Sequence, residues 1–209
     1  MKTGVIVTDI QGDFTELMHG SLAVKGTDQG YVDRVLAATN RLKAKGFFIF
    51  ATQDWHPKNH ISFYTTHPGK KPFEVISRNG KKQVLWPPHC VQGSEGAKLL
   101  LDEKLFDATV HKGTQMEFES YSGFQDDEGN KTPLHRILQA WEIKRIIIYG
   151  LATDYCVRAS SLDAVALGYQ VVMVKDLSRG VAPETTKKAI EELQQAEVQL
   201  LESIDSLFN

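Results

Sequence analysis

The chain has 209 residues, with 24 Lys and Arg against 26 Asp and Glu and a net charge of −2. That balance offers no basic stripe to nucleic acid and no positive patch to an anionic membrane surface, so a small-molecule partner is expected. The length suits one large α/β domain spanning 1–209 with a full hydrophobic core; no segment nears the roughly 18 apolar residues that cross a bilayer, and Met1-Lys2-Thr3 leads straight into an apolar run instead of a leader, which predicts a cytoplasmic protein with Cys90 and Cys156 as reduced thiols.

Gly4-Val5-Ile6-Val7, within Thr3 to Thr8, is apolar without alternation, as in a strand buried on both faces of a parallel sheet, and Asp9 follows it directly. After a loop from Ile10 to Asp28, Val32, Val35, Leu36, Thr39 and Leu42 share one face of a helix that ends at Gly46. Phe47 to Ala51 predicts a second buried strand, whose carboxyl end delivers Thr52-Gln53-Asp54-Trp55-His56-Pro57-Lys58-Asn59-His60, a segment dense in potential ligands. Residues 64–106 lack a long period and are broken by Gly, Pro and Lys, so they read as an excursion with short pieces of structure; they carry Leu85-Trp86-Pro87-Pro88-His89-Cys90. Ala108 to His111 predicts a short third strand that stops at Lys112-Gly113. Thr132 as N-cap with Pro133 as first helical residue opens a helix with Leu134, Ile137, Leu138 and Trp141 on one face.

Lys144 to Tyr149 predicts a fourth strand. It ends in Gly150-Leu151-Ala152-Thr153-Asp154-Tyr155-Cys156-Val157, a strand-to-helix joint with a cysteine in the first turn of a helix running to Gly168. A fifth strand over Gln170 to Lys175, a helix with Ala189, Ile190, Leu193 and Ala196 inward, and a sixth strand at Val198 to Leu201 complete the chain. The alternation predicts a six-stranded parallel sheet between two helical layers, a three-layer α/β/α Rossmann-like fold. Ligands of such sheets bind beyond the carboxyl ends of the strands, where Asp9, Asp54, Lys112 and Cys156 all fall.

A cysteine at a strand-to-helix turn faces orphan N–H groups and the positive end of the helix dipole, which predicts a lowered thiol pKa and donors for an oxyanion. A nucleophilic thiol also needs a group to take its proton and return it to the leaving group, and Asp9 and Lys112 are placed to serve. An aspartate facing a thiol in a partly dry site has its pKa raised, which suits a proton shuttle, while the lysine charge lowers both. Asp54 and His56, two apart in extended chain, point the same way and with His89 make a set suited to one divalent ion, Zn²⁺ above all or Fe²⁺ or Mn²⁺, with positions left for water or substrate. His60 is open as a fourth ligand or as a donor behind the set. His19, His67, His111 and His135 read as ordinary hydrogen-bonded histidines; His111 precedes Lys112 in a strand and points to the opposite side. Phe14, Trp86 and Tyr121 can wall a flat slot for a planar ring, and Cys90 reads as structural.

With these residues in place, the chain resembles the nicotinamidases of the isochorismatase-like cysteine hydrolase family nearly end to end. The motifs that carry the likeness are Val7-Thr8-Asp9-Ile10-Gln11-Gly12-Asp13-Phe14, Thr52 to Pro57 with Asn59-His60-Ile61-Ser62-Phe63, Trp86 to Gly93, Lys112-Gly113, Ser120-Tyr121-Ser122-Gly123-Phe124 and Gly150 to Val157. The resemblance implies a catalytic triad of Asp9, Lys112 and Cys156, metal ligands Asp54, His56 and His89 with His60 a ligand in some members, and an oxyanion hole from the N–H groups of Ala152 and Cys156. Tyr155 joins the pocket, and a cis peptide is implied at Leu151-Ala152. It also implies hydrolysis of nicotinamide to nicotinate and ammonia in NAD salvage, and action on pyrazinamide; the sequence leaves the oligomeric state, monomer or homo-oligomer, open. The family usually has Asn where Gly12 stands and a Pro/Gly-rich turn where Glu16-Leu17-Met18-His19 stands. Two other readings stay open: a related amidohydrolase acting on another small amide, and a catalytically silent metal-dependent binding module.

Overall fold

The computed structural model describes residues 1–78 and 80–208. Six strands, β1 (Thr3–Thr8), β2 (Phe48–Asp54), β5 (Ala108–Lys112), β6 (Arg145–Gly150), β7 (Gln170–Val174) and β8 (Gln199–Leu201), form one sheet in the order β5-β2-β1-β6-β7-β8. Every pairing in it is parallel. Strand order reverses beside β1, which places a crevice beyond the carboxyl ends of β1 and its neighbours.

The unbroken apolar runs have the physical reason expected of them: both faces of the sheet are covered. Val5, Val7, Ile49, Ile147 and Tyr149 pack on one side against α1 (Gln29–Ala44), which presents Tyr31, Val32, Val35, Ala38 and Leu42. Their neighbours in sequence, Ile6, Phe50, Ile146 and Ile148, face the other side, where α2 (Leu134–Ala140), α3 (Arg158–Ala166) and α4 (Pro183–Gln195) contribute Leu134, Leu138, Ala164 and Leu193. The Asp28 carboxylate starts α1 by accepting the Tyr31 N–H at 2.9 Å. Thr39 lies on its buried face because its hydroxyl meets the Tyr149 hydroxyl at 2.8 Å.

Several boundaries differ from those read in the sequence. β2 continues through Asp54 instead of ending at Ala51, because β5 pairs with it as far as Asp54 opposite Lys112. α2 begins one residue later than the Thr132-Pro133 signal suggests; the Thr132 hydroxyl accepts the Leu134 N–H at 3.2 Å and Pro133 precedes the first helical residue. The excursion at 64–106 holds an antiparallel pair, β3 (Val75–Arg78) with β4 (Lys81–Val84), which no periodicity announced. In α4, Ala189 and Leu193 are buried, while Ile190 and Ala196 are only half-buried and Ala196 is the C-cap. The largest difference follows Gly150: a π-helical turn, Thr153–Val157, intervenes before α3, so Cys156 sits in that turn and not in an α-helical one. No helix among the described residues is long and apolar enough to cross a membrane.

Candidate active site

Four adjacent strands, β5, β2, β1 and β6, deliver Lys112, Asp54, Asp9 and the turn bearing Cys156 in that order across the sheet. Lys112 and Asp54 are cross-strand partners at the ends of β5 and β2, which fixes their side chains on one side. The Lys112 ammonium is fully buried and central. It forms an ion pair with Asp54 Oδ1, stands 3.0 Å from Asp9 Oδ2 and 3.4 Å from Cys156 Sγ, and donates to the Ser120 carbonyl at 3.0 Å. Thus Lys112 joins the two sets that the sequence presents as separate, the Asp9/Cys156 pair and the Asp54/His56/His89 clamp.

Charge in this dry cluster is distributed unevenly. Burial alone would raise the Asp54 pKa, but Lys112 and then His56 overturn that and hold it well below the usual carboxylate range. Burial works against the Lys112 ammonium, yet Asp54 and Asp9 keep it charged by raising its pKa. Burial pushes the Asp9 carboxyl up, and Lys112 only partly opposes it. Its Oδ1 accepts from the Thr52 hydroxyl at 2.7 Å. Oδ2 lies close to Lys112 Nζ but makes no well-aligned hydrogen bond among the described residues, which leaves that oxygen available to a proton. Asp9 itself has a left-handed backbone, φ 50, uncommon for a residue with a side chain and recurrent where a functional group must be aimed.

The Cys156 thiol departs from the sequence expectation. Burial pushes its pKa well up from the ordinary thiol value, with Lys112 pulling the other way and Asp9 and Asp54 adding to the rise, so the protonated thiol is the favoured form. A proton acceptor within the cluster is therefore required before sulfur can attack, and Asp9 is the carboxylate whose own pKa has moved toward that task. The Leu151-Ala152 peptide is cis. The Ala152 carbonyl accepts the N–H groups of Tyr155 and Val157, both at 3.1 Å, and the Thr153 N–H goes to the Arg179 carbonyl. No acceptor among the described residues takes the Ala152 N–H, and Ala152 lines the same pocket as Cys156.

On the far side of Asp54, a donor atom from each of Asp54, His56 and His89 lies within 4.8 Å of the other two. The Nδ1 atoms of both histidines meet backbone carbonyls, His56 that of Gly113 at 2.9 Å and His89 that of Pro87 at 2.8 Å, which leaves Nε2 of each ring as the nitrogen free to act as a ligand. His56 Nε2 is 3.5 Å from Asp54 Oδ2, the oxygen that Lys112 leaves free. Burial, then the neighbouring His56 charge, lowers the His89 pKa to about 4 and keeps the imidazole neutral. The donor set therefore fits a small divalent cation with one carboxylate and two imidazoles.

His60 is beside this set, its ring 4.2 Å from that of His56, but both its nitrogens are engaged, Nδ1 with the Ser62 hydroxyl at 2.7 Å and Nε2 with the Phe118 carbonyl at 3.0 Å. His111 points away and stacks on Trp55 at 4.9 Å. Phe14, Trp86, Tyr121 and Tyr155 do line one pocket with Asp54, His89 and Cys156. Trp86 Nε1 donates to the Tyr121 hydroxyl at 3.1 Å, and both rings meet Tyr155, at 5.0 and 5.3 Å. Sequence reasoning missed Leu22, Val24, Glu119 and Val181 in this lining. Glu119 is buried and groups with His56 and His60; its only sequence signal is its position next to Ser120-Tyr121.

The isochorismatase domain model matches residues 3–205. The chain belongs to the isochorismatase family. Within that family it is 41% identical to the nicotinamidase of Escherichia coli strain K12 over 92% of this chain and 91% of that one. Among solved structures, an Acinetobacter baumanii nicotinamidase/pyrazinamidase superposes with a TM-score of 0.89 at 34% identity, covering 98% of this chain and 97% of the other. The pyrazinamidase of Pyrococcus horikoshii in complex with zinc superposes with a TM-score of 0.80 at 35% identity, over 96% and 99%. The six-stranded parallel sheet with its four helices matches the isochorismatase-like α/β fold of these structures.

Proposed function

We propose that this chain is a metal-dependent cysteine amidohydrolase that converts nicotinamide to nicotinate and ammonia, with pyrazinamide as a second substrate and NAD salvage as its setting. The observation that carries the reading is the convergence of Asp9, Lys112 and Cys156 with the Asp54/His56/His89 set on one aromatic pocket. The nicotinamidase and pyrazinamidase relatives, one of them complexed with zinc, support it. A divalent ion held by Asp54, His56 and His89, zinc in the first instance, would supply a Lewis-acid anchor for a ring nitrogen. Phe14, Trp86, Tyr121 and Tyr155 hold the planar ring so that its carboxamide carbon lies over Cys156. Asp9 Oδ2 takes the thiol proton as sulfur bonds to that carbon, and the Lys112 ammonium steadies the developing thiolate. The oxyanion is received by the N–H groups of Ala152 and Cys156, a contact whose loss typically costs about 10²–10³ in rate. Asp9 returns its proton to nitrogen as the C–N bond breaks, ammonia leaves and a Cys156 thioester remains. Asp9 then takes a proton from water, which attacks the thioester; nicotinate departs and the thiol is restored.

Ammonia release from nicotinamide, pyrazinamide, benzamide and an aliphatic amide tests the assignment. Turnover of the first two, abolished by metal stripping and restored by zinc, is expected. Equal rates on all four, or unchanged nicotinamide turnover in stripped protein, would favour an amidohydrolase of other specificity.

A further inference from the structure

His89 is the one member of the metal set that does not come from a sheet strand or the residue pair following it, so something must hold its loop. It lies in Pro87-Pro88-His89-Cys90, and its ring is aimed by the Nδ1 contact to the Pro87 carbonyl, which makes the ring orientation depend on the backbone of that turn. Cys90, the next residue, is left-handed at φ 46, a conformation that a residue with a side chain keeps only under restraint. The restraint is Asp13. Its carboxylate Oδ2 accepts the Cys90 N–H at 2.7 Å, across 77 residues of sequence. Asp13 is itself fixed at its backbone: its N–H goes to the Gly96 carbonyl at 2.8 Å and its carbonyl accepts the Leu22 N–H at 3.0 Å. A second tie runs from the same loop, with the Ser21 hydroxyl donating to the Pro88 carbonyl at 2.7 Å, and the Phe14 ring lies 5.4 Å from the His89 ring. Gly96 is the condition for this packing, since a Cβ there would fall on the Asp13 carboxylate, carbon and oxygens alike.

We infer that Asp13 is a positioning residue for the metal site: by accepting the Cys90 N–H it holds the Pro87–Cys90 turn in the one conformation that presents His89 beside Asp54 and His56. The inference rests on the metal site proposed above. Partners that orient ligands in this way typically carry about 10–100-fold in metal affinity.

The test is zinc affinity of the metal-free full chain, read by competition with a chromogenic chelator, in wild type, Asp13→Ala, Asp13→Asn and Gly96→Ala. Asp13→Ala should bind zinc about 10–100-fold more weakly. Asp13→Asn, which keeps an acceptor oxygen, should recover part of that loss. Gly96→Ala leaves Asp13 in the sequence but displaces its carboxylate, and should resemble Asp13→Ala. The alkylation rate of Cys156 in the metal-free protein, mapped by mass, should stay within about twofold, because Asp13 reaches the His89 turn and not the turn after β6. Zinc binding within twofold of wild type in either folded alanine variant would overturn the inference, as would a Cys156 alkylation rate that changes in step with zinc affinity. Should Asp13→Ala fail to fold, the asparagine and Gly96 variants carry the same comparison. A wild-type chain that binds no zinc would sink the metal site and this inference together, whereas loss of the Asp13 effect alone would leave the site standing.

Discussion

Gly113→Ala is a small perturbation with a large expected effect, because Gly113 does two jobs behind His56. Its carbonyl meets His56 Nδ1 at 2.9 Å, and its backbone is left-handed at φ 63. A Cβ there would lie 2.6 Å from His56 Nδ1 and nearer still to the Cε1 carbon. The imidazole has no free direction: it is 1% exposed and packed against His60 at 4.2 Å, His89 at 5.0 Å and Phe63 at 5.6 Å. The left-handed backbone costs an alanine about 1–2 kcal/mol, and overpacking a filled site adds about 1–3 kcal/mol. The sum, about 2–5 kcal/mol, corresponds to a Tm lower by about 4–20 °C in a chain of this size. Gly129→Ala separates the two contributions, since Gly129 also has a left-handed φ, 86, but no atom of the described residues within 4 Å of its Cβ position. Thermal melts of both variants, with zinc titrations of each, give the answer. Gly113→Ala should melt about 2–12 °C below Gly129→Ala and bind zinc more weakly. Equal melting and equal zinc affinity would refute the claim that the Gly113 hydrogen seat sets the His56 ring.

Lys112→Met leaves Asp9 and Asp54 buried without their cation, which should destabilise the metal-free protein by about 3–5 kcal/mol; zinc should then raise the Tm of the variant by more than it raises that of wild type, and equal increments would contradict the shared-charge account. His89 gives a pH test. Burial first, and the His56 charge second, put its folded pKa at about 4, whereas an unfolded imidazole protonates near 6.5. The unfolded state binds the extra proton between those values, so metal-free wild type should lose stability as pH falls from about 6.5 toward 4. Melts of His89→Gln over that range should fall less steeply, and parallel curves would rule the contribution out.

The sequence was most legible where one physical rule sufficed. Gly4-Val5-Ile6-Val7 and Ile146-Ile147-Ile148 are apolar on both faces, which only a covered parallel sheet explains, and their carboxyl ends pointed to Asp9 and Cys156. Asp54 and His56 were readable as a pair because extended chain repeats every two residues. Strand order was not readable, so the neighbouring of β5 with β2, and hence the Lys112 to Asp54 ion pair that fuses the two functional sets, emerged only from the fold. The raised thiol pKa is not legible for a related reason: the strand-to-helix turn is local and visible in sequence, but desolvation depends on everything packed around Cys156. Glu119 escaped notice because it sits in an aperiodic loop, where burial has no sequence signature. The roles of Asp13 and Gly96 depend on contacts 77 and 83 residues apart along the chain, from Asp13 to Cys90 and to Gly96, beyond any local pattern.

Ammonia release from nicotinamide by wild type and Cys156→Ala at matched zinc content asks whether Cys156 sulfur bonds to the carboxamide carbon while Asp9 carries the proton. Wild type should release ammonia robustly and the variant none above background, while the variant should still bind zinc through Asp54, His56 and His89. Substantial deamidation by zinc-loaded Cys156→Ala would rule out attack by the Cys156 sulfur.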